Sequence, residues 1–317
     1  MDYTGTRGVP RLDLGAALLE FIQEEKAFIG TQLFPVFKSP EKKANYPAIT
    51  RASLTQTADT KRGSKGNYNR GSMGAKDKSF ACEENGFEMP LSDDDRALYK
   101  TDFDAEWAST KGAGGILLRN QEGRIATKAF STSTFTGSAL YTDNSGTPWA
   151  TIGTDIVGQV IDGKEKVRKN CGIEPNALVL SKANVNKCLK NTAIKAAISY
   201  TARPTEAEII NALKDLFGVK KLLIGNAVKN SAKEGAVFSG DDIWNATHVL
   251  LAVVAEDGQD LTQPSIGRTF LWDKDCPENV HVESYRDEPI RSDIFRARSH
   301  TDEVLIDPYF GHLLKVA

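Results

Sequence analysis

Cysteine is scarce, and the little there is never pairs: Cys82, Cys171, Cys188 and Cys276 are the only four in 317 residues, and no two form a CxxC motif. That spacing argues against both a zinc site and a disulfide framework and leaves reduced thiols as the simplest account. An excess of one charge is missing too. Lys and Arg number 40 against 42 Asp and Glu, a net of -2, so nothing in the total draws the chain toward nucleic acid or an anionic membrane, and any electrostatic partner must be recognised locally. No run approaches the roughly 20 apolar residues that span a bilayer. The apolar stretch "LGAALLEFI" near the start is surrounded by Asp13, Glu20, Glu24 and Glu25, without a basic leader or small-residue cleavage site, so no signal peptide is expected.

Catalytic signatures are absent as well. "GSKGNYNRG" is glycine-rich and basic, but it lacks the GK[ST] ending of a phosphate loop and opens no helix. There is no GxSxG elbow and no HExxH. His248, His281, His300 and His312 fall in or beside expected strands of the later half, where packing is a simpler role than ligation. The triplet Asp93, Asp94 and Asp95 after Ser92 reads as a helix start favoured by the helix dipole, not as a metal site. No catalytic, cofactor-binding or metal-binding residue is expected.

What is there has a definite order. Leu14, Leu18, Leu19, Phe21 and Ile22 recur at near-helical spacing within residues 12–26, an amphipathic helix. Pro35, Pro40 and Pro47 then favour extended chain. Residues 52–80 hold few core-formers, several glycines and the bases Lys61, Arg62, Lys65, Arg70, Lys76 and Lys78. Connections in compact domains run about 4 to 6 residues, so this one is either disordered or an arm ordered by something outside its own fold. Its flanks, "NYPAITR" and "FACEENGFEMPL", read as two strands of a long hairpin.

A long helix is expected from Ser92 to about Phe130, with a bend at "GAGG". Helix and strand alternate from residue 154 to 265: a helix stopped by Gly172, the strand "NALVLS", a helix marked by Val185, Leu189 and Ile194, and one opened by Thr205 and Glu208 and closed by Gly218. "KKLLIG" and "ATHVLLAVVAE" follow as central strands, the second nearly all apolar and so covered on both faces. From residue 266 onward strands return, and there Arg286, Asp287, Glu288, Arg291, Asp293, Arg296, Arg298, Asp302 and Glu303 interrupt the apolar residues at nearly every second position. Such charges are either a solvated edge or a surface that meets a partner.

The sequence of arm, basic hairpin, long capped helix, α/β region and charged strands resembles the major capsid proteins of tailed bacteriophages, the Hong Kong 97-like fold. "IGTQLFPVFKSPEKKANYP", "GIEPNALVLSKANVNKCLKN" and "RTFLWDKDCPENVHVESYRDEPIRSDIFRARSHTDEVLIDPYFGHLLKV" look like that family's extended loop, axial domain and closing strands. The resemblance implies an α+β fold with an N-terminal arm (1–29), an extended loop (30–91), a spine helix and peripheral domain (92–153), an axial domain (154–267) and peripheral strands returning to the axial domain (268–317). It implies a non-enzymatic shell protein without cofactors that forms hexamers and pentamers with copies of itself. A separate scaffolding protein, a portal and a cement protein are the further partners it suggests. Double-stranded DNA would be enclosed without sequence-specific contact, no membrane would be involved, and the shell would assemble in the host cytoplasm into a virion. Arg51, Lys61, Arg62, Lys65 and Arg70 of the loop, and the nine charges from Arg286 to Glu303, are the inter-subunit contacts it suggests. Some members weld their shells through a loop Lys and a peripheral Asn. Lys61 and Lys65 match the former, but "EPIRSDIFRARSH" has no Asn, so a non-covalent shell is expected. An encapsulin-like nanocompartment and a cytosolic α/β enzyme with an unrecognised site are the alternatives.

Overall fold

Two sheets share the core of the chain, which a computed structural model describes at residues 9–24, 28–62, 64, 66–72, 74–99, 104–198, 205–233 and 235–317. Lys65 and the side chains of Leu19, Phe21 and Ile22 lie outside that description. Among the described residues no helix is long and apolar enough to cross a membrane.

The first sheet is organised by one strand, Ser292–Leu305. Along one edge its early residues pair with His281–Asp287 and its last ones with Gly267–Trp272, while Glu83–Ser92 runs along the other edge, all antiparallel. Val9–Pro10 and Val36–Ser39 complete the six strands. The long helix Ala105–Ala129 crosses this sheet and buries Ala113, Leu117 and Leu118 against Phe295, Ala297, Val282 and, from the N-terminal helix Leu12–Glu24, Leu14 and Leu18.

The second sheet runs in the order Tyr141–Asp143, Gly311–Lys315, His248–Ala252, Ala177–Ser181 and Lys221–Gly225. Helices Ile156–Cys171, Lys182–Lys190 and Glu206–Phe217 cover it, so Ala177–Ser181 is buried at every position and reads as a continuous apolar run. One polar group is buried here with its bonds complete. His312 is fully buried; its Nδ1–H donates to the Ala139 carbonyl at 3.0 Å, and Nε2 accepts from the Thr142 hydroxyl at 2.8 Å. The carbonyl only accepts, which fixes the neutral tautomer. Burial pushes the imidazole down to about 4.

At several helix ends local signals act where the sequence placed them. Thr205 and Glu208 form the reciprocal capping box, and Gly172 and Gly218 close their helices at φ 75° and 58°. Five expectations change. The helix expected to run from Ser92 to about Phe130 is two: Ser92 caps Asp93–Tyr99, and Asp104 accepts from the Trp107 N–H to start Ala105–Ala129 anew. The strand Lys221–Gly225, expected to be central, lies at the edge of the second sheet. The bend expected at Gly112 to Gly115 is absent, and the helix is continuous through them. These glycines instead admit close neighbours: a Cβ would lie 2.4 Å from the Met89 sulfur at Gly112 and 2.4 Å from Leu18 Cδ2 at Gly114. The helix marked by Val185 and Ile194 is two, because the Asn191 side chain accepts from the backbone N–H groups of Ala193 and Ile194 and starts Thr192–Ile198 afresh. The second hairpin strand also divides. Ala75–Ala81 pairs with Lys43–Ile49, whereas Glu83–Ser92 leaves the hairpin for the first sheet.

Candidate assembly surfaces

The hairpin is anchored at one end only. Tyr46, Ala48, Phe80 and Cys82 pack with Phe270 and Ile306, and the Phe80 and Phe270 rings stack with centroids 4.3 Å apart. Ser53 then closes a neck by donating to the Gly74 carbonyl and accepting from the Gly74 N–H, each at 2.8 Å. Beyond the neck, residues 54–74 are exposed wherever described. Among the described residues the side-chain bonds of the tip stay within it: Arg62 donates to the Gly66 carbonyl at 2.7 Å and lies over the Tyr68 ring, and Asn69 donates to the Asp59 carbonyl. Lys61 and Arg70 are exposed, with no ion pair among the described residues. Arg51 differs, stacking 3.4 Å over the Tyr309 ring of its own chain.

The charges of the first sheet behave otherwise. Both Nη groups of Arg286 hold the Asp93 carboxylate at 2.7 Å, and this arginine keeps Asp93 below the usual carboxylate range. Arg286 also reaches Glu288 and Asp293, each at 3.4 Å, and Asp293 meets Arg96 at 2.7 Å. Arg296 bonds Glu88 at 2.6 Å, and Arg298 forks onto Glu283 at 2.9 and 2.7 Å. Glu303, buried, takes Arg124 of the long helix at 2.9 and 2.8 Å. Burial alone would push the Glu303 carboxyl up, but Arg124 outweighs it and the net shift is downward. Asp302 accepts from the Ala81 N–H and lies 4.0 Å from Lys128. Asp287 and Arg291 have no ion pair among the described residues, and Arg291 stands exposed at φ 47° in the turn. Most of the alternating charge is therefore matched inside the subunit, between strands and across to the long helix.

Sequence reasoning missed Glu122. Its carboxylate is 3% exposed and accepts from the Ile29 N–H at 2.9 Å, the Gly30 N–H at 2.8 Å and Trp244 Nε1 at 2.6 Å. Burial pushes this carboxyl up, and the three donors work against that. The group ties the start of the extended segment and the second sheet's approach loop to the long helix. A signal existed: Glu122 falls between Leu118 and Ile125, on the helix's apolar face.

This architecture, a charged sheet under a long helix with a projecting two-stranded arm and a separate helix-covered sheet, is the Hong Kong 97-like capsid fold. It matches the capsid structure of the cyanophage P-SCSP1u over 100% of this chain and 91% of that one, at 12% identity and a TM-score of 0.56. A phage-related protein from Bordetella bronchiseptica is more alike: 20% identity and a TM-score of 0.73, covering 98% of both chains. In sequence, the chain is 27% identical over 276 residues to the major capsid protein of Burkholderia phage BcepMu, covering 85% of this chain and 86% of that protein. No protein-family model matches the sequence.

Proposed function

We infer that this chain is a phage major capsid protein, a structural subunit that associates with copies of itself to form the shell of a virion. The observation that carries the reading is the arm: residues 54–74 project from an anchored hairpin and are exposed wherever described. A segment of that length without a core is retained when another molecule orders it. Sequence likeness to a capsid protein along most of the chain supports the same conclusion.

Within this reading, copies meet as hexamers and pentamers. Lys61, Arg62, Lys65 and Arg70 of the arm bear on a neighbour, and so do the outward charges Asp287, Glu288 and Arg291, the part of the peripheral set least engaged at home. The shell assembles in the host cytoplasm around a separate scaffold and a portal and encloses double-stranded DNA without reading its sequence. Complementary charges at such contacts set register and partner choice more than raw affinity.

Negative-stain microscopy of the expressed full chain tests the reading. Closed shells or capsomer rings are expected. Small monodisperse particles under all assembly conditions, including with the scaffold co-expressed, would overturn it, and the nucleic-acid content of native particles separates a phage head from a protein-filled compartment.

A further inference from the structure

Asp275 and Cys276 sit in the turn after the strand Gly267–Trp272, and His300 lies on the strand Ser292–Leu305, 24 residues from Cys276. The fold brings a carboxylate oxygen, a thiol sulfur and an imidazole nitrogen within 4.8 Å of one another; no other such trio comes together among the described residues. Cys276 and His300 are buried, and the Asp275 side chain is about one-third exposed.

The separations suit a shared ion. Bonds of about 2.3 Å to sulfur and 2.0 Å to nitrogen or oxygen, meeting at a tetrahedral centre, place sulfur about 3.5 Å from either partner. Cys276 Sγ lies 3.9 Å from His300 Nδ1 and 3.7 Å from Asp275 Oδ2. Asp275 Oδ2 and His300 Nδ1 are closer, at 2.5 Å. Two such ligands of one ion stand about 3.3 Å apart, so binding requires the aspartate, in its turn, to swing by under an ångström.

We propose that Asp275, Cys276 and His300 bind a thiophilic divalent cation of the zinc class, which staples the turn onto the central strand. The charges balance: a carboxylate and a thiolate supply two negative charges for a doubly charged ion, with the imidazole neutral. Arg298 also reaches Asp275, yet it does not depend on it, because its Nε and Nη2 are both on Glu283. Its Nη1 lies 3.4 Å from Cys276 Sγ, where it donates to a metal-bound thiolate. The far side of His300 fits as well. Ligation through Nδ1 puts the ring proton on Nε2, an atom buried without a hydrogen-bond partner and 3.5 Å from Glu84 Oε2. A carboxylate at that place is the usual outer partner of a metal-bound histidine. Three protein ligands leave the fourth position to solvent.

The test uses the full-length subunit, stripped with chelator, dialysed and titrated with Co²⁺. One cobalt per chain is expected, with a thiolate-to-cobalt charge-transfer band that zinc displaces and that Cys276→Ser and His300→Gln each abolish. Zinc should also raise the unfolding midpoint of the unsubstituted chain. No charge-transfer band with the unsubstituted chain would overturn the proposal whatever the variants do, and so would a band that persists in Cys276→Ser.

Discussion

The arm and the charged sheet are both rich in ionisable residues, and they use them in opposite ways. In the sheet, Arg286, Arg296, Arg298 and Glu303 each have a partner in the same chain, several through two bonds. In the arm, Lys61 and Arg70 have none among the described residues, and Arg62 folds back on its own tip. Matched charges let a surface fold alone, whereas unmatched ones on a segment without a core leave something for another molecule to supply. The distinction lies in pairing geometry, and composition does not reveal it.

The sharpest break of that comparison is to unpair a buried member of the sheet. Arg124→Ala removes the ion-pair partner of the buried Glu303 carboxylate and leaves it the Thr301 hydroxyl and, at 3.4 Å, the Gln121 amide as donors, at a cost of about 3 kcal/mol or more. Urea unfolding of dissociated subunits should register the loss, and a change below about 1 kcal/mol would mean the pair is not what holds the helix to the strand.

Next in size is an acid effect in the second sheet, where the stabilising polar group is neutral. His312 is held near 4 in the fold, against about 6.5 for a free histidine. Between these values the unfolded chain binds a proton that the folded chain refuses. Stability should therefore be complete above about pH 6.5 and fall as pH drops through 4, by about 3 kcal/mol in total. Loss of the Glu303 and Asp93 pairs would add to this only at lower pH, since both carboxyls are shifted downward. Unfolding midpoints across this range check the sign, and His312→Gln should flatten them.

Neutralising Lys61, Arg62, Lys65 and Arg70 together to Gln should change subunit stability by less than about 0.5 kcal/mol while lowering particle yield. Loss of soluble subunit would erase the contrast between arm and sheet. The smallest expected effect is none: on denaturing gels, mature particles should run as a single band at the monomer position, because no Asn stands in 288–300 to weld to an arm lysine. A ladder of linked subunits would refute that.

What was legible in the sequence was what local chemistry decides. Thr205 with Glu208, Ser92 with Asp95, and the stops at Gly172 and Gly218 each act within a few residues, and each has its expected bond or dihedral. The order of elements, and with it the fold, followed. The division of the second hairpin strand at Cys82 was not legible, because it depends on Glu83–Ser92 finding a partner some two hundred residues later. Asp275, Cys276 and His300 escaped for the same reason, since no short motif joins them. The glycines of "GAGG" misled because their value is the room they leave for Met89 and Leu18, which only packing reveals.

The stacked pair Phe80 and Phe270 carries a consequence of leverage. These rings lie 3° from parallel and grip the arm near its base, while the seven paired residues of Lys43–Ile49 extend about 23 Å at strand rise. A rotation of about 5° at that grip sweeps the far end of the ladder through about 2 Å, comparable with the whole tolerance of a hydrogen bond. The aromatic pair is the fulcrum of a lever whose working end, in the proposed shell, bears on a neighbouring copy. Trimming Phe80 would act as an aiming error, and its cost would appear where copies meet, far from the residue changed.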